Sequence, residues 1–249
     1  MNESLAVYTV CVGDGFSLPD TYPTKGVEYL CFTDNPHLEP NGWKLKVISP
    51  IFQSDLIRSS REPKIRPHRH LQDFSRSLYI DTRVQLKKDP KDLWQHLIGD
   101  HSAAFAAFYH SFHATLEEEF KAVLKIGLDD ESRVNEMRAV LRNYLPAALS
   151  ERVIWGGVLA RMHQEPHCID AMETWYAHVL RYSRRDQLSL PLSIHKMQPS
   201  RVRLTEIDNH ENAFLSWPTN TAKPERYFEY KKPKAGRLRK LKTLFSLKI

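Results

Sequence analysis

The chain has 249 residues, with 36 Lys plus Arg against 30 Asp plus Glu and a formal charge of +6. Residues 231–249 hold eight of those bases and no acid, so residues 1–230 carry −2 and a basic body is excluded. With 41% hydrophobic and 10% aromatic residues, the chain is apolar and long enough to bury a core, which excludes disorder throughout.

In chain order, LAVYTVCV (5–12) is a short apolar run rich in β-branched residues and closed by Gly13-Asp14-Gly15. It reads as a buried strand rather than a signal segment, because it is short and no basic stretch precedes it. VEYLCFTD (27–34) and WKLKVIS (43–49) read as two more strands, set off by Asn35-Pro36 and Asn41-Gly42. A polar stretch with Arg61, Lys64, Arg66 and Arg69 around Pro63 and Pro67 follows. It is either a solvated charged face or a proline-stiffened phosphate clamp. His68 and His70 would project oppositely on a strand, which argues against a two-histidine metal site.

SLYIDTRVQL (77–86) reads as a fourth strand interrupted by Asp81-Thr82-Arg83, and Asp89-Pro90 supplies an N-cap and first-turn proline for a helix to Ile98. AAFAAF (103–108) fits a buried strand, and LEEEFKAVLKIG (116–127) a helix closing at Gly127. Val134, Met137, Leu141 and Leu145 form a helical stripe before Pro146. RVIWGGVLARMH (152–163) fits a strand pair or a strand with a Gly-Gly irregularity. Asp170 with Glu173 resembles a capping box opening the next helix. Alternating strands and helices predict an α/β fold with a mixed, mostly parallel central sheet flanked by helices. Ligands in such sheets sit at strand carboxyl ends, which singles out Gly13, Asp34 and the triplet from Asp81 to Arg83.

Asp81 interrupts an apolar strand, where an ionised carboxylate is costly unless paired or bound to a cation. It is either a strand-end cap paired with Arg83 or a ligand of a nucleotide-diphosphate site. Asp186, between Arg184-Arg185 and Gln187, either closes a helix C-terminus with its neighbours or takes a proton from an acceptor hydroxyl. His110-x-x-His113 with Glu117 has zinc-like spacing without a fourth ligand at fixed distance. Gly13-x-Gly15 lacks the rest of a dinucleotide fingerprint, and no P-loop or G-x-S-x-G sequence occurs. Three cysteines, Cys11, Cys31 and Cys168, predict buried free thiols in a reducing compartment. No stretch approaches the roughly 18–20 apolar residues of a membrane span. The expectation is a cytoplasmic protein with a single domain over 1–230 and a separate tail.

In that tail Leu238, Leu241, Leu244, Phe245 and Ile249 recur at near-helical spacing between the bases. It is a disordered basic end, a helix packed on the body, or an amphipathic helix on an anionic membrane surface. A nucleic-acid arm explains the charge but not the apolar stripe.

Taken in order, YTVCVGDG, YLCFTDNP, GWKL, PKIRPHRHL, SLYIDTRVQL, AFYH with the Glu-rich 117–119, GGVLARMH and RRDQLSLP resemble a known family. It is the glycosyltransferase-like domain family of plant mucilage-related proteins and bacteria, and the likeness spans roughly residues 5–195. The resemblance implies a GT-A-like fold that uses a nucleotide-sugar donor and a cell-envelope glycan or lipid-linked acceptor. It places Gly13 and Asp34 near the nucleoside, and Lys64 and Arg66 near the phosphates. Asp81 would stand first in an Asp-x-Asp-like triplet, with Asp186 near the acceptor beside Arg185 and Gln187. A Mn²⁺ or Mg²⁺ ion would sit on Asp81, completed by His195. Arg83, where an acid or amide is usual, instead allows metal-independent action. The rival expectation is a non-catalytic module of the same fold that docks a partner or nucleic acid.

Overall fold

A computed structural model describes residues 5–99, 102–111 and 113–217. The basic segment 231–249 and its amphipathic reading lie outside the described residues.

Nine strands form among the described residues: β1 (Leu5–Cys11), β2 (Val27–Thr33), β3 (Lys44–Val47), β4 (Arg76–Ile80), β5 (Gln85–Leu86), β6 (Phe105–Tyr109), β7 (Ile154–Arg161), β8 (Val202–Thr205) and β9 (Leu215–Ser216). Seven build one sheet in the order β3-β2-β1-β4-β7-β6-β8, while β5 and β9 make a small ribbon. Every neighbouring pair in the large sheet is parallel except the two that β7 makes, with β4 and with β6. The carboxyl ends of β1, β4 and β6 therefore share an edge with the amino end of β7. This reversal assembles the site described below.

β1 is apolar on both sides because both sides are covered. Ala6, Tyr8 and Val10 face one core with Ile65 and Trp175, while Leu5, Val7 and Cys11 face another with Leu93 and Leu97. Helices α1 (Leu56–Ile65) and α6 (Pro166–Arg181) lie on the first side, and α3 (Pro90–Leu97) on the second, with α2 (Pro67–His70) following α1. A third cluster packs α4 (Leu116–Ile126) and α5 (Glu131–Tyr144) against Val153 and Leu188. A short helix, α7 (Leu190–Ile194), closes the 184–189 segment onto α6.

The helix ends follow local chemistry. The Asp89 side chain accepts from Lys91 N ahead of Pro90, Thr115 accepts from Glu118 N, and Gly127 closes α4 at φ 68° in the left-handed region. Two expectations need correction. α6 opens at Pro166, not at Asp170, because a proline at the first helical position needs no amide partner. The Arg61–Arg69 stretch is also helical and not a strand carrying His68 and His70, for it forms α1 and α2 with Pro63 inside the first. His68 and His70 consequently meet different acids, Glu173 at 2.8 Å and Glu62 at 2.5 Å. No helix among the described residues is long and apolar enough to cross a membrane.

Candidate functional site

At the shared edge lies a cavity of about 230 Å³. Its walls are the end of β1 (Val10, Val12), the turn after β4 (Asp81–Arg83), the start of β7 (Trp155–Gly157) and residues 185–187. Arg61 and Lys64 reach in from α1, while His110, Glu119 and Trp217 close the far side. The Gly-Gly irregularity shapes this opening. Pairing of β6 with β7 jumps from Ala107–Leu159 to Phe108–Trp155, so Gly156 and Gly157 bulge out of that ladder. A Cβ on Gly156 would lie 3.2 Å from Lys64 Nζ and 3.7 Å from Asp186 Oδ2. The bare backbone is what admits those two side chains.

Lys64 and Asp186 are buried side by side, with Nζ 2.5 Å from Oδ2, and Arg61 Nε stands 3.5 Å from Oδ1. The backbone on both sides is anchored. Tyr8 OH donates to the Lys64 carbonyl at 2.7 Å, and the fully buried Arg161 donates to the same oxygen at 3.0 Å. Trp175 Nε1 donates to the Asp186 carbonyl at 2.8 Å. Burial pushes the Lys64 ammonium down to about 8 against the pull of Asp186. Burial would raise Asp186, but Arg61 and Lys64 outweigh it and hold the carboxyl at about 2. The ammonium also stands 5.0 Å from the Tyr79 ring centre.

The triplet after β4 is a turn held by its own acid. Asp81 Oδ1 accepts from Arg83 N at 3.2 Å, and the Arg83 guanidinium lies 3.8 Å from Oδ1 and 5.3 Å from the Trp217 ring centre. A cation on Asp81 would therefore meet the Arg83 guanidinium beside it. His195, at the exposed end of α7, does not line the cavity. The Asp81 and His195 pair thus does not fit a Mn²⁺ or Mg²⁺ ion.

A different set could hold one. One donor atom each from His110, His113 and Glu119 lie within 4.8 Å of one another. Glu119, not Glu117, completes the group: the two differ by roughly 200° around an α-helix, so Glu117 turns outward to pair with Arg138. Glu119 turns inward, where it is 2% exposed. Burial opposes its ionisation, yet hydrogen bonding and attraction from His113 and the charge of Arg185 bring its carboxyl below the ordinary range. Burial pushes the His110 imidazole down to about 4. Gln187 links this group to the bulge, donating to Glu119 at 3.3 Å and accepting from Gly156 N at 3.2 Å.

Of the residues singled out in the sequence, Lys64, Asp81, Arg83, Arg185, Asp186 and Gln187 line one cavity. Gly13, Asp34 and Arg66 do not line it. The Asp34 carboxylate accepts from Gly13 N at 2.9 Å and ties the loops after β1 and β2 together. Arg66 turns back to Glu62, Glu173 and the face of Tyr176, because it sits on the opposite helical face from Lys64. Glu119, Trp155, Tyr79 and Trp217 escaped the sequence reading. The Gly156-Gly157 irregularity marked the neighbourhood of Trp155, His110-x-x-His113 that of Glu119, and the strand before Asp81 that of Tyr79.

The TOD1/MUCI70 glycosyltransferase-like domain model matches residues 36–214, which hold the charged side chains of the cavity. The chain belongs to this family. No curated protein matches it. For a TOD1/MUCI70 domain, a glycosyl-transfer role is the one its family supports.

Proposed function

We propose that this domain, GT-A-like in its use of the sheet edge, moves a sugar from a nucleotide-sugar donor to a cell-envelope glycan or lipid-linked acceptor. The carrying observation is the buried Lys64–Asp186 pair, set in one cavity with Arg61, Arg83 and Arg185. Transfer breaks the bond from the anomeric carbon to the diphosphate and forms one to the acceptor oxygen. The leaving diphosphate gains charge, which Lys64, Arg61 and Arg83 are placed to meet. The acceptor proton goes to Asp186. With its carboxyl held at about 2, Asp186 is a weak base at rest. A diphosphate that competes for Lys64 and Arg61 removes the charges holding it there, so donor binding itself prepares the base. Arg185 and Gln187 flank Asp186 on the acceptor side. Trp155 and Trp217, whose rings lie 5.0 Å apart, offer an apolar wall for a sugar or base.

A panel of nucleotide sugars, with and without Mg²⁺ or Mn²⁺, tests this reading. Transfer or donor hydrolysis with one of them, lost in Asp186→Asn, is expected; no binding to any would sink it. The Asp81–Arg83 contact favours a second reading, a module that holds a nucleotide without turnover. Binding with no turnover under every condition would select it. The sequence of 231–249 supports a peripheral position at the cytoplasmic face of a membrane, with the apolar stripe on anionic lipid.

A further inference from the structure

The cluster beside the cavity differs in chemistry from the Asp81 turn. Two imidazoles and one carboxylate form a nitrogen-rich set, and such sets bind first-row transition metals far better than Mg²⁺ or Ca²⁺, which want oxygen. The three donor atoms, within 4.8 Å of one another, need only a small closure. Bonds of about 2.0–2.1 Å in a tetrahedral site put ligands about 3.3 Å apart. His113, 15% exposed and the least enclosed of the three, is the one placed to supply that movement.

The surroundings are built as an outer shell. Glu119 is oriented by Gln187, which is itself held by the Gly156 amide. The ring of His110 lies parallel to that of His113 at 5.0 Å and edge-on to Trp217 at 6.2 Å. His110 and Glu119 line the cavity, so an ion on them would stand where a ligand can reach it. Arg185 lies within electrostatic reach of both and offsets part of the carboxylate charge.

We propose that His110, His113 and Glu119 form a site for a divalent transition metal of the zinc class, with an open coordination position on the cavity side. In the metal-free protein His113 Nδ1 and Glu119 Oε2 share a proton in their hydrogen bond. An ion would take its place while the His113 proton passes to Nε2, the other tautomer, leaving Nδ1 and Oε2 as ligands. The open position makes this a ligand-binding rather than a closed structural site. The proposal stands apart from glycosyl transfer, since it concerns the protein and the metal alone.

Co²⁺ added to the full chelator-stripped chain is the probe. Binding is expected to give a visible d–d absorption band and to quench tryptophan emission through Trp217. Zn²⁺ should displace Co²⁺ at equimolar concentration, while Mg²⁺ should not displace it at a hundredfold excess. Glu119→Gln and His113→Ala should each weaken Co²⁺ binding by about tenfold or more, by analogy with the cost of disturbing metal surroundings. Asp81→Asn should leave it unchanged. Circular dichroism reports folding of each variant, and His113→Ala, at a partly buried turn, decides if Glu119→Gln fails to fold. No band in the wild-type chain overturns the proposal. So does unaltered binding in His113→Ala, loss of binding in Asp81→Asn, or Mg²⁺ competing as well as Zn²⁺. None of these results touches nucleotide-sugar binding, so the two readings fail separately.

Discussion

Lys64 Nζ stands 2.5 Å from Asp186 Oδ2, with both side chains 5% exposed, and this contact ties α1 to the turn that follows α6. An ion pair so deeply buried adds little over an apolar pair, yet breaking it from one side leaves an uncompensated charge. The two single variants are not equivalent. Lys64→Met leaves Asp186 with Arg61 at 3.5 Å, whereas Asp186→Asn leaves Lys64 beside Arg61 with its direct counter-ion gone and only the more distant Asp81 to offset it. Asp186→Asn should cost about 3–5 kcal/mol and Lys64→Met less. The double variant should recover much of that loss. Urea unfolding of the four proteins measures it, and simple additivity would show that the pair is not coupled.

The acid limb of stability should report the same pair. The folded Asp186 carboxyl lies at about 2, below its ordinary 3.8, so between these values the unfolded chain binds more protons than the folded one. The contribution of Asp186 is fully present above about 3.8 and is lost as pH falls through about 2. The urea midpoint of the wild-type chain should therefore drop more steeply below pH 4 than that of Asp186→Asn. Parallel curves would assign the acid limb to other carboxylates.

How much of this was legible beforehand depended on where apolar spacing set the structure. β1, β4 and α4 followed from apolar runs and, for α4, from the closing Gly127, because burial and capping act locally. The α/β class followed from their alternation. α1 was hidden because its buried face carries Glu62, Lys64 and Ser59 in place of leucines, and because Pro63 reads as a breaker. What allows such a face is a set of partners far along the chain, Asp186, Tyr8 and Arg161, which no local window contains. The site divided the same way. Strand-end logic reached Asp81, and the dense polar cluster after a helix marked Asp186. Choosing Glu119 over Glu117 needed the rotational phase of α4, and separating Lys64 from Arg66 needed that of α1.

The two glycines of the bulge should respond differently to alanine. Neither has a left-handed backbone, so the outcome rests on space. At Gly156 the new methyl meets the far end of the Lys64 side chain at 3.2 Å, which need shift only a few tenths of an ångström, and Gln187 Cγ at the ordinary contact distance of 3.5 Å. At Gly157 it would fall 2.2 Å from the indole of Trp155, which is buried. Gly156→Ala should keep its melting temperature within a few degrees while weakening nucleotide binding. Gly157→Ala should cost about 1–3 kcal/mol through displacement of the indole. Thermal melts and nucleotide titrations side by side test this, and equal losses in both variants would refute the assignment of space.

The positive charge of the chain belongs to its end, and the expected consequence is location rather than catalysis. Each base near an anionic leaflet is worth on the order of 1 kcal/mol, and residues 231–249 carry eight of them. Deleting 231–249 should abolish sedimentation with vesicles containing phosphatidylserine and leave nucleotide-sugar affinity as it was. Vesicle binding that survives the deletion would detach the charge from any role in location.

Arg83 decides how the cavity treats phosphate. Its guanidinium sits beside Asp81 at 3.8 Å and over Trp217, where a divalent ion would otherwise need a second acid. A fixed cation there offers a diphosphate the charge and hydrogen bonds that Mg²⁺ usually supplies, without drawing on the metal concentration. Nucleoside-diphosphate binding to the wild-type chain should therefore change little when Mg²⁺ is added. Arg83→Ala should weaken it by about tenfold or more, the scale of one charge-assisted hydrogen bond. Arg83→Lys should recover only part, since an ammonium keeps the charge but loses the planar fork that spans the Trp217 face and two phosphate oxygens. Calorimetric titrations with and without Mg²⁺ give the answer. A wild-type affinity that requires Mg²⁺ would mean that the guanidinium yields its place to the ion when the nucleotide arrives.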